Sequence, residues 1–415
     1  MHKMHKTGLL VAALSAVLTL PALAEDATPA PAPATAPAAK PAIPTLSDIL
    51  DASGLSITGY IDAGYTSLNS TGYFVGAGVP TRVFDAPNPT AGKKLDSFNL
   101  NQASVTISKQ PKEGFGGVVN LTAGQDSNVI ASFGAGNAGA NPYANNHNFD
   151  VTQAYASYAK GPLTAIAGKF VTLAGAEVIN SVSNTNYSRS ILFGYAIPFS
   201  HTGVRLTYAP SDTISLVAGV NNGWDQVSDS NKDKTIELGF TATPTKVFSL
   251  AGSYYGGKEL ADGFAAPLNQ ASNGNRQLVD LVATINATDK LTFILNYDNG
   301  RQDNALLVGG PTRGTAKWNG LAAYANYQFN DLWRASFRTE YFNDKNGYRT
   351  AFAAGATTGQ KWKENTLTLA YIPAKNFEVR GEVRVDTSDQ AVFLNSDGTA
   401  KSNQSSFGLE ALYKF

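Results

Sequence analysis

The chain has 415 residues, no cysteine, and 32 basic against 32 acidic residues, so its formal net charge is zero. Charged residues reach only 15%, against roughly 25% in ordinary soluble domains, while the hydrophobic share is 43%. These values exclude a disulfide framework or a cysteine-based metal centre. They argue against a nucleic-acid binder, which carries a basic excess, and against a disordered polyelectrolyte. A globular enzyme, a secreted β protein and a membrane barrel remain.

The N-terminus sets the compartment. His2, Lys3, His5 and Lys6 precede an apolar stretch from Leu9 to Leu20, and Ala22-Leu23-Ala24 follows as a small-x-small site. This pattern reads as a secretory signal peptide over 1–24 rather than an anchor, because the apolar run is short and ends at Pro21. No later run of 18 apolar residues exists to form a transmembrane helix. Residues 25–54 read as an Ala/Pro-rich periplasmic linker, with Ala30-Pro31-Ala32-Pro33 favouring an extended spacer. The linker ends in a short helix, Thr45 capping a face of Leu46, Ile49 and Leu50.

From Leu55 the period becomes two. Leu291, Phe293, Leu295 and Tyr297 alternate with smaller residues, as do Ile236, Leu238, Phe240 and Ala242. Phe377, Val379, Gly381, Val383 and Val385 interleave with Glu378, Arg380, Glu382, Arg384 and Asp386. Successive side chains of a strand point to opposite faces, so one face is apolar and the other charged. The pattern predicts sixteen strands, at 55–65, 98–109, 114–124, 149–159, 163–171, 201–209, 213–221, 234–243, 247–255, 276–286, 290–298, 316–329, 332–342, 362–372, 376–386 and 403–415. Most have about nine to twelve residues, the length that crosses a bilayer at a tilt of about 45°. Seven connections are tight, among them Lys160-Gly161-Pro162 and Asn330-Asp331, and eight are long, about 12 to 32 residues. Their strict alternation describes an up-and-down barrel with turns at one end and loops at the other.

The fold class is therefore all-β, a transmembrane antiparallel β-barrel of about 16 strands over residues 55–415. Backbone groups unpaired in hydrocarbon cost several kcal/mol, which forces closure. The last strand, Phe407, Leu409, Ala411, Tyr413 and Phe415, alternates to the final residue. A terminal aromatic of this kind is the form that outer-membrane barrels present to their assembly machinery, so Phe415 is the expected contact. Tyr158, Tyr208, Phe248, Tyr327, Phe329, Trp333, Tyr371, Phe377 and Tyr413 fall near the tight turns, and Tyr65, Tyr254, Tyr297 and Tyr341 near the long loops, as two interfacial belts require.

Sixteen strands leave a lumen wide enough for water. Arg205, Asp280, Asp298, Arg334, Arg338, Glu340, Arg380, Arg384 and Glu410 share the inward parity and are expected to line that water. The third long connection, Thr172 to Ser200, contains Ile191, Leu192, Phe193, Tyr195, Ile197 and Phe199, which suit a packed interior better than an outer loop. It is expected to fold inward and form the constriction, carrying Glu177, Tyr187 and Arg189. Arg334, Arg338, Arg380 and Arg384 would face it as a basic wall diluted by Glu340, Glu378 and Glu382. Rings of Arg and Lys favour anions, but the interleaved acids leave ion preference open.

The chain resembles the OmpL-like family of β-barrel porins of Gram-negative bacteria. Gly59-Tyr60-Ile61-Asp62, Asn186-Tyr187-Ser188-Arg189-Ser190, Ala196-Ile197-Pro198-Phe199, His201-Thr202-Gly203-Val204-Arg205 and Val220-Asn221-Asn222-Gly223-Trp224-Asp225 carry the resemblance, which spans residues 46 to 415. It implies passive diffusion of small hydrophilic solutes and ions, with no catalytic residues and no cofactor.

Other classes fit less well. His147 lies in a polar loop, and His201, at the start of the sixth strand, is expected to hydrogen-bond within the third loop. No nucleophile elbow, phosphate loop or histidine cluster accompanies them, so no enzyme and no metal site is expected. A plugged transporter would need about 22 strands. A channel specific for sugars or oligopeptides, with Tyr60, Tyr187 and Tyr324 in the lumen, and a non-conducting adhesive barrel are the alternatives. The partners expected are outer-membrane lipid and lipopolysaccharide, the assembly machinery and, by analogy, two further copies in a homotrimer. No nucleic-acid partner is expected.

Overall fold

Alternating apolar and polar residues over a dozen positions give a strand two dissimilar faces, and sixteen such strands satisfy each other's backbones only as a closed ring. The computed structural model describes residues 45–72, 81–82, 84, 94–132, 148–260, 273–307, 312–350 and 359–415. The signal peptide over 1–24, the Ala/Pro-rich stretch that follows and His147 lie outside the described residues.

The strands are β1 (Ser56–Leu68), β2 (Asp96–Lys109), β3 (Gly114–Ala123), β4 (Phe149–Lys160), β5 (Leu163–Val171), β6 (Ser200–Ser211), β7 (Ile214–Asn221) and β8 (Thr235–Ala242). Then come β9 (Phe248–Leu260), β10 (Asn273–Asn286), β11 (Leu291–Leu306), β12 (Arg313–Asn330), β13 (Trp333–Asp344), β14 (Gln360–Ala374), β15 (Phe377–Ser388) and β16 (Asn403–Lys414). Each pairs antiparallel with its sequence neighbours, and β16 returns to β1, closing the barrel. At the seam Gly59 and Phe415 exchange both backbone hydrogen bonds, at 2.8 and 2.9 Å.

Each predicted strand is present, and its apolar parity faces outward. Along β15, Phe377, Val383 and Val385 are exposed, whereas Arg380, Glu382, Arg384 and Asp386 point inward and are buried. The aromatic residues near the tight turns are exposed on the outer face, several in contact: Trp333 with Tyr371 at 4.8 Å, Tyr327 with Phe329 at 5.0 Å and Phe115 with Tyr158 at 4.8 Å. At the other end Tyr297 and Tyr341 are likewise exposed outward. Gly161 turns β4 into β5 with a φ of +55°, where a side chain would be strained.

Some strand ends differ from expectation. β9, β11 and β12 run past their apolar stretches, so the β11–β12 connection shrinks to residues 307–312. The backbone ladder continues beyond the hydrophobic band, and only the band leaves an apolar signal. The expected helix after the linker forms as α1 (Leu46–Ser53) and is ended by Gly54 at φ +65°. Sequence reading missed a four-residue helix, α2 (Ser127–Ile130), and a small hairpin of Phe393–Leu394 with Ala400–Lys401.

Candidate functional site

The connection from β5 to β6 crosses the interior. Its residues hydrogen-bond to β1, β2, β9, β11 and β12 to β15, which lie on opposite arcs of the ring, so the segment passes between them.

An irregular backbone inside a barrel needs partners for its own N–H and C=O groups, and charged side chains supply them. Glu382 of β15 accepts from the backbone N–H of Tyr187 at 2.8 Å and of Ser188 at 3.0 Å. Glu340 of β13 accepts from Ile191 at 2.9 Å and Leu192 at 3.0 Å. Arg338 donates to the Ser188 carbonyl at 2.6 Å, Arg384 to that of Arg189 at 2.6 Å, and Arg380 to those of Asn186 and Ser181 at 3.3 and 3.4 Å. The Trp318 indole holds the Ala196 carbonyl at 3.0 Å.

The same side chains neutralise one another. Glu340 and Glu364 face each other across β13 and β14, a like-charge pair that is unfavourable alone. Arg338, fully buried, lies beside both and also takes Glu177 of the loop, at 3.3, 3.2 and 2.7 Å. Arg380 pairs with Glu378 and Glu410 at 2.6 and 3.0 Å, and Arg384 with Asp386 at 2.8 Å. Buried charges are tolerated only when paired and hydrogen-bonded in this way.

Tyr187 anchors the loop tip. Its ring lies over Gly64 of β1 and Gly408 of β16, where a Cβ on Gly408 would come within 2.5 Å of the ring. Its hydroxyl hydrogen-bonds with Thr66 at 2.8 Å and accepts from Asn101 at 3.4 Å. The apolar half of the loop joins a second core inside the barrel. There Phe84, Phe193 and Phe199 pack with centroids 5.2 to 5.4 Å apart, and Tyr195 meets Trp362 at 6.2 Å. At the loop's far end, Asp225 Oδ1 accepts from Phe199 and Ser200 at 2.7 and 2.9 Å. Burial raises the Asp225 carboxyl above its ordinary range, opposed by those two backbone donors.

The four arginines expected as a basic wall lie together on β13 and β15, Arg334 and Arg380 sharing Glu378 and Arg338 and Arg384 flanking Glu364. Arg338 meets Glu177 and the Ser188 carbonyl, Arg384 the Arg189 carbonyl, and Arg380 the Asn186 and Ser181 carbonyls, all three as buried, paired groups. Arg189 folds back on its own loop, donating to the Val178 and Ile179 carbonyls at 3.1 and 2.7 Å. Arg334 sits nearer the turns, paired with Glu378 and only partly buried. Arg205 is in β6, away from that group, bound to Glu237 at 2.6 Å and stacked on Phe170 at 4.2 Å. Asp280, Asp298, Glu340 and Glu410, expected to face water, are likewise buried. These groups keep the inward parity and are covered by the crossing loop and by pairing with neighbouring strands. His201 contacts the Gly223 carbonyl of the next loop at 3.1 Å and stacks on Tyr255 at 4.6 Å, rather than bonding within the third loop. Tyr255 and Trp318 are loop anchors that sequence reading missed, and Glu382, expected only to dilute the basic wall, caps two backbone N–H groups of the loop.

A cavity of about 170 Å³ remains between the loop and β1 to β5. A closed sixteen-strand antiparallel barrel with a connection folded across its interior is the architecture of porins. The family described as "Putative beta-barrel porin-2, OmpL-like" matches residues 54–415, and the chain belongs to that family. No curated protein sequence matches the chain. Among solved structures it is similar to the outer-membrane channel DcaP of Acinetobacter baumannii, at 13% identity and a TM-score of 0.57 over 87% of this chain and 97% of that one. OprB of Pseudomonas putida matches at 12% identity and a TM-score of 0.56, over 88% of this chain and 96% of that one. The anion-selective porin of Comamonas acidovorans matches at 10% identity and a TM-score of 0.54, over 87% and 99%. At these identities the likeness concerns the fold.

Proposed function

We propose that the protein is a porin of the outer membrane that carries small hydrophilic solutes and ions by passive diffusion, its third loop setting the constriction. The loop crossing a closed barrel on built-in anchors is the observation that carries this reading. Glu177, Tyr187, Arg189, Arg338, Arg380 and Arg384 then shape the constriction by fixing the loop, while Arg205 and Arg334 belong to the barrel wall on β6 and β13. The basic start and Ala22-Leu23-Ala24 support export with cleavage after Ala24. The exposed aromatic belts support contact with lipid and lipopolysaccharide, and Phe415 at the seam supports recognition by the assembly machinery.

A homotrimer is the proposed assembly. Outward on β3 to β5, Gly117, Ala156 and Ala167 lie side by side, leaving a shallow groove on the lipid face that a neighbouring barrel could fill. Single-channel recording of the refolded protein in planar bilayers tests the function. Discrete conductance steps that vanish after heat denaturation are expected, and a folded barrel that never conducts would overturn it. Light scattering of the detergent complex reads the assembly, and a monomer mass would remove the trimer.

A further inference from the structure

The third loop divides the interior into unlike halves. Towards β12 to β16, charges are plentiful and engaged in holding the loop. Towards β1 to β5, the cavity of about 170 Å³ is lined by hydroxyl and amide side chains of the strands and by mainly apolar residues of the loop, among them Leu173, Val178, Ile179, Phe193 and Phe199. Among the described residues Glu177 is the one charged residue in its lining, and that carboxylate is occupied by Arg338 at 2.7 Å and the Ser190 N–H at 2.6 Å.

Three amide side chains around the cavity keep spare hydrogen-bonding capacity. Asn120 donates to Ser104 and Thr106 at 2.8 and 2.9 Å, while its Oδ1 has no partner among the described residues. Gln153 accepts from the Val171 N–H at 3.3 Å and Asn180 from the Val182 N–H at 3.1 Å, each leaving its NH2 group without a partner among them. The rings of Phe193 and Phe199 supply apolar surface. The volume is close to the roughly 150 Å³ of a cavity that takes up one benzene ring.

We propose that this cavity is a solute-binding station of the channel for an uncharged, hydroxylated ring, a monosaccharide. The assignment rests on the porin reading above and names its solute class. A sugar ring offers C–H faces to aromatic surface and hydroxyls that both donate and accept, matching free amide oxygens and NH2 groups. An anion would find no free guanidinium or ammonium group in the lining, and a cation would find the single carboxylate already taken.

The test is glucose titration of the KCl current through single refolded channels, with sodium gluconate as the charged control and sucrose as the oversized one. Glucose is expected to lower the current saturably, with gluconate and sucrose giving no saturable block. The double variant Asn120→Leu/Gln153→Leu is expected to raise the half-blocking glucose concentration at least about tenfold, the loss of one or two neutral hydrogen bonds. Retained heat-modifiable gel mobility would show that the variant folds. Conductance without saturable glucose block, or equal block by gluconate, overturns the sugar station and leaves the porin reading standing. A folded protein with no conductance overturns the porin reading itself. If the double variant does not fold, Asn180→Leu, on the loop and outside the sheet, gives the same readout.

Discussion

Arg338 is the residue on which most of the interior converges. It touches Glu177, Glu340 and Glu364 and holds the Ser188 carbonyl, with no exposed surface. Arg338→Met removes the nearest cation from three buried carboxylates, with Glu364 keeping a second one in Arg384 at 3.8 Å, and breaking such pairs costs about 3–5 kcal/mol. The expected result is a lower unfolding temperature, read from heat-modifiable gel mobility, together with noisier single-channel currents as the loop loosens. Gly408→Ala acts at the other end of the loop. Its Cβ would press on the Tyr187 ring, an overpacking that costs about 1–3 kcal/mol and displaces the loop tip. Larger conductance from a folded barrel is the expected outcome, and unchanged conductance would separate Tyr187 from the constriction. Asp225 gives a signed pH effect. Its folded carboxyl titrates above the unfolded one, so its stability contribution is complete below the unfolded pKa and is lost as pH rises through the folded pKa. Asp225→Asn keeps the acceptor without the charge, so urea unfolding should show it level with the native protein at acid pH and more stable above the ordinary carboxylate range. A difference that does not change with pH would exclude this role.

At the scale of elements, the strands were legible because each carries two faces in two solvents. The parity of β15 alone places Phe377, Val383 and Val385 against lipid and Arg380, Glu382 and Arg384 inside. Strand ends were less legible. β11 continues through Asn299 to Leu306 on backbone pairing with β12, beyond the apolar signal that marks the membrane. The third loop was half legible. Its apolar run pointed inward, and that is where Phe193 and Phe199 pack. Which carboxylate would cap which N–H was not readable, because those pairings join residues about 150 to 200 positions apart, as Glu340 with Ile191 and Glu382 with Tyr187. The last strand carries its own expectation. Phe415→Ala keeps the two backbone bonds to Gly59 but removes the ring that covers it. A smaller fraction of folded, heat-modifiable barrel in outer-membrane extracts should follow, and full assembly would release Phe415 from that role.

For the whole molecule, a charge share of 15% no longer looks like a mild oddity of a soluble chain. Outward strand positions face apolar surroundings, and the inward charges are largely consumed in pairs that hold one loop. Zero net charge therefore reflects local neutralisation, most densely between β13 and β16. Weak ion selectivity is expected as a result. In a tenfold KCl gradient the reversal potential should fall well below the roughly 59 mV of ideal selectivity, and a value near that limit, of either sign, would show unpaired charge governing the path.

The seam between Gly59 and Phe415 has a temporal meaning. The first strand made must wait for the sixteenth, because β1 finds its second neighbour only in β16. Until then both ends of the sheet are bare edges, the most adhesive surface a β protein owns. A chain cut short by even one strand cannot finish the ring and stays exposed to aggregation and proteolysis. The closing contact thus works as a check on the sheet, passed only by a polypeptide whose sixteenth strand has been delivered.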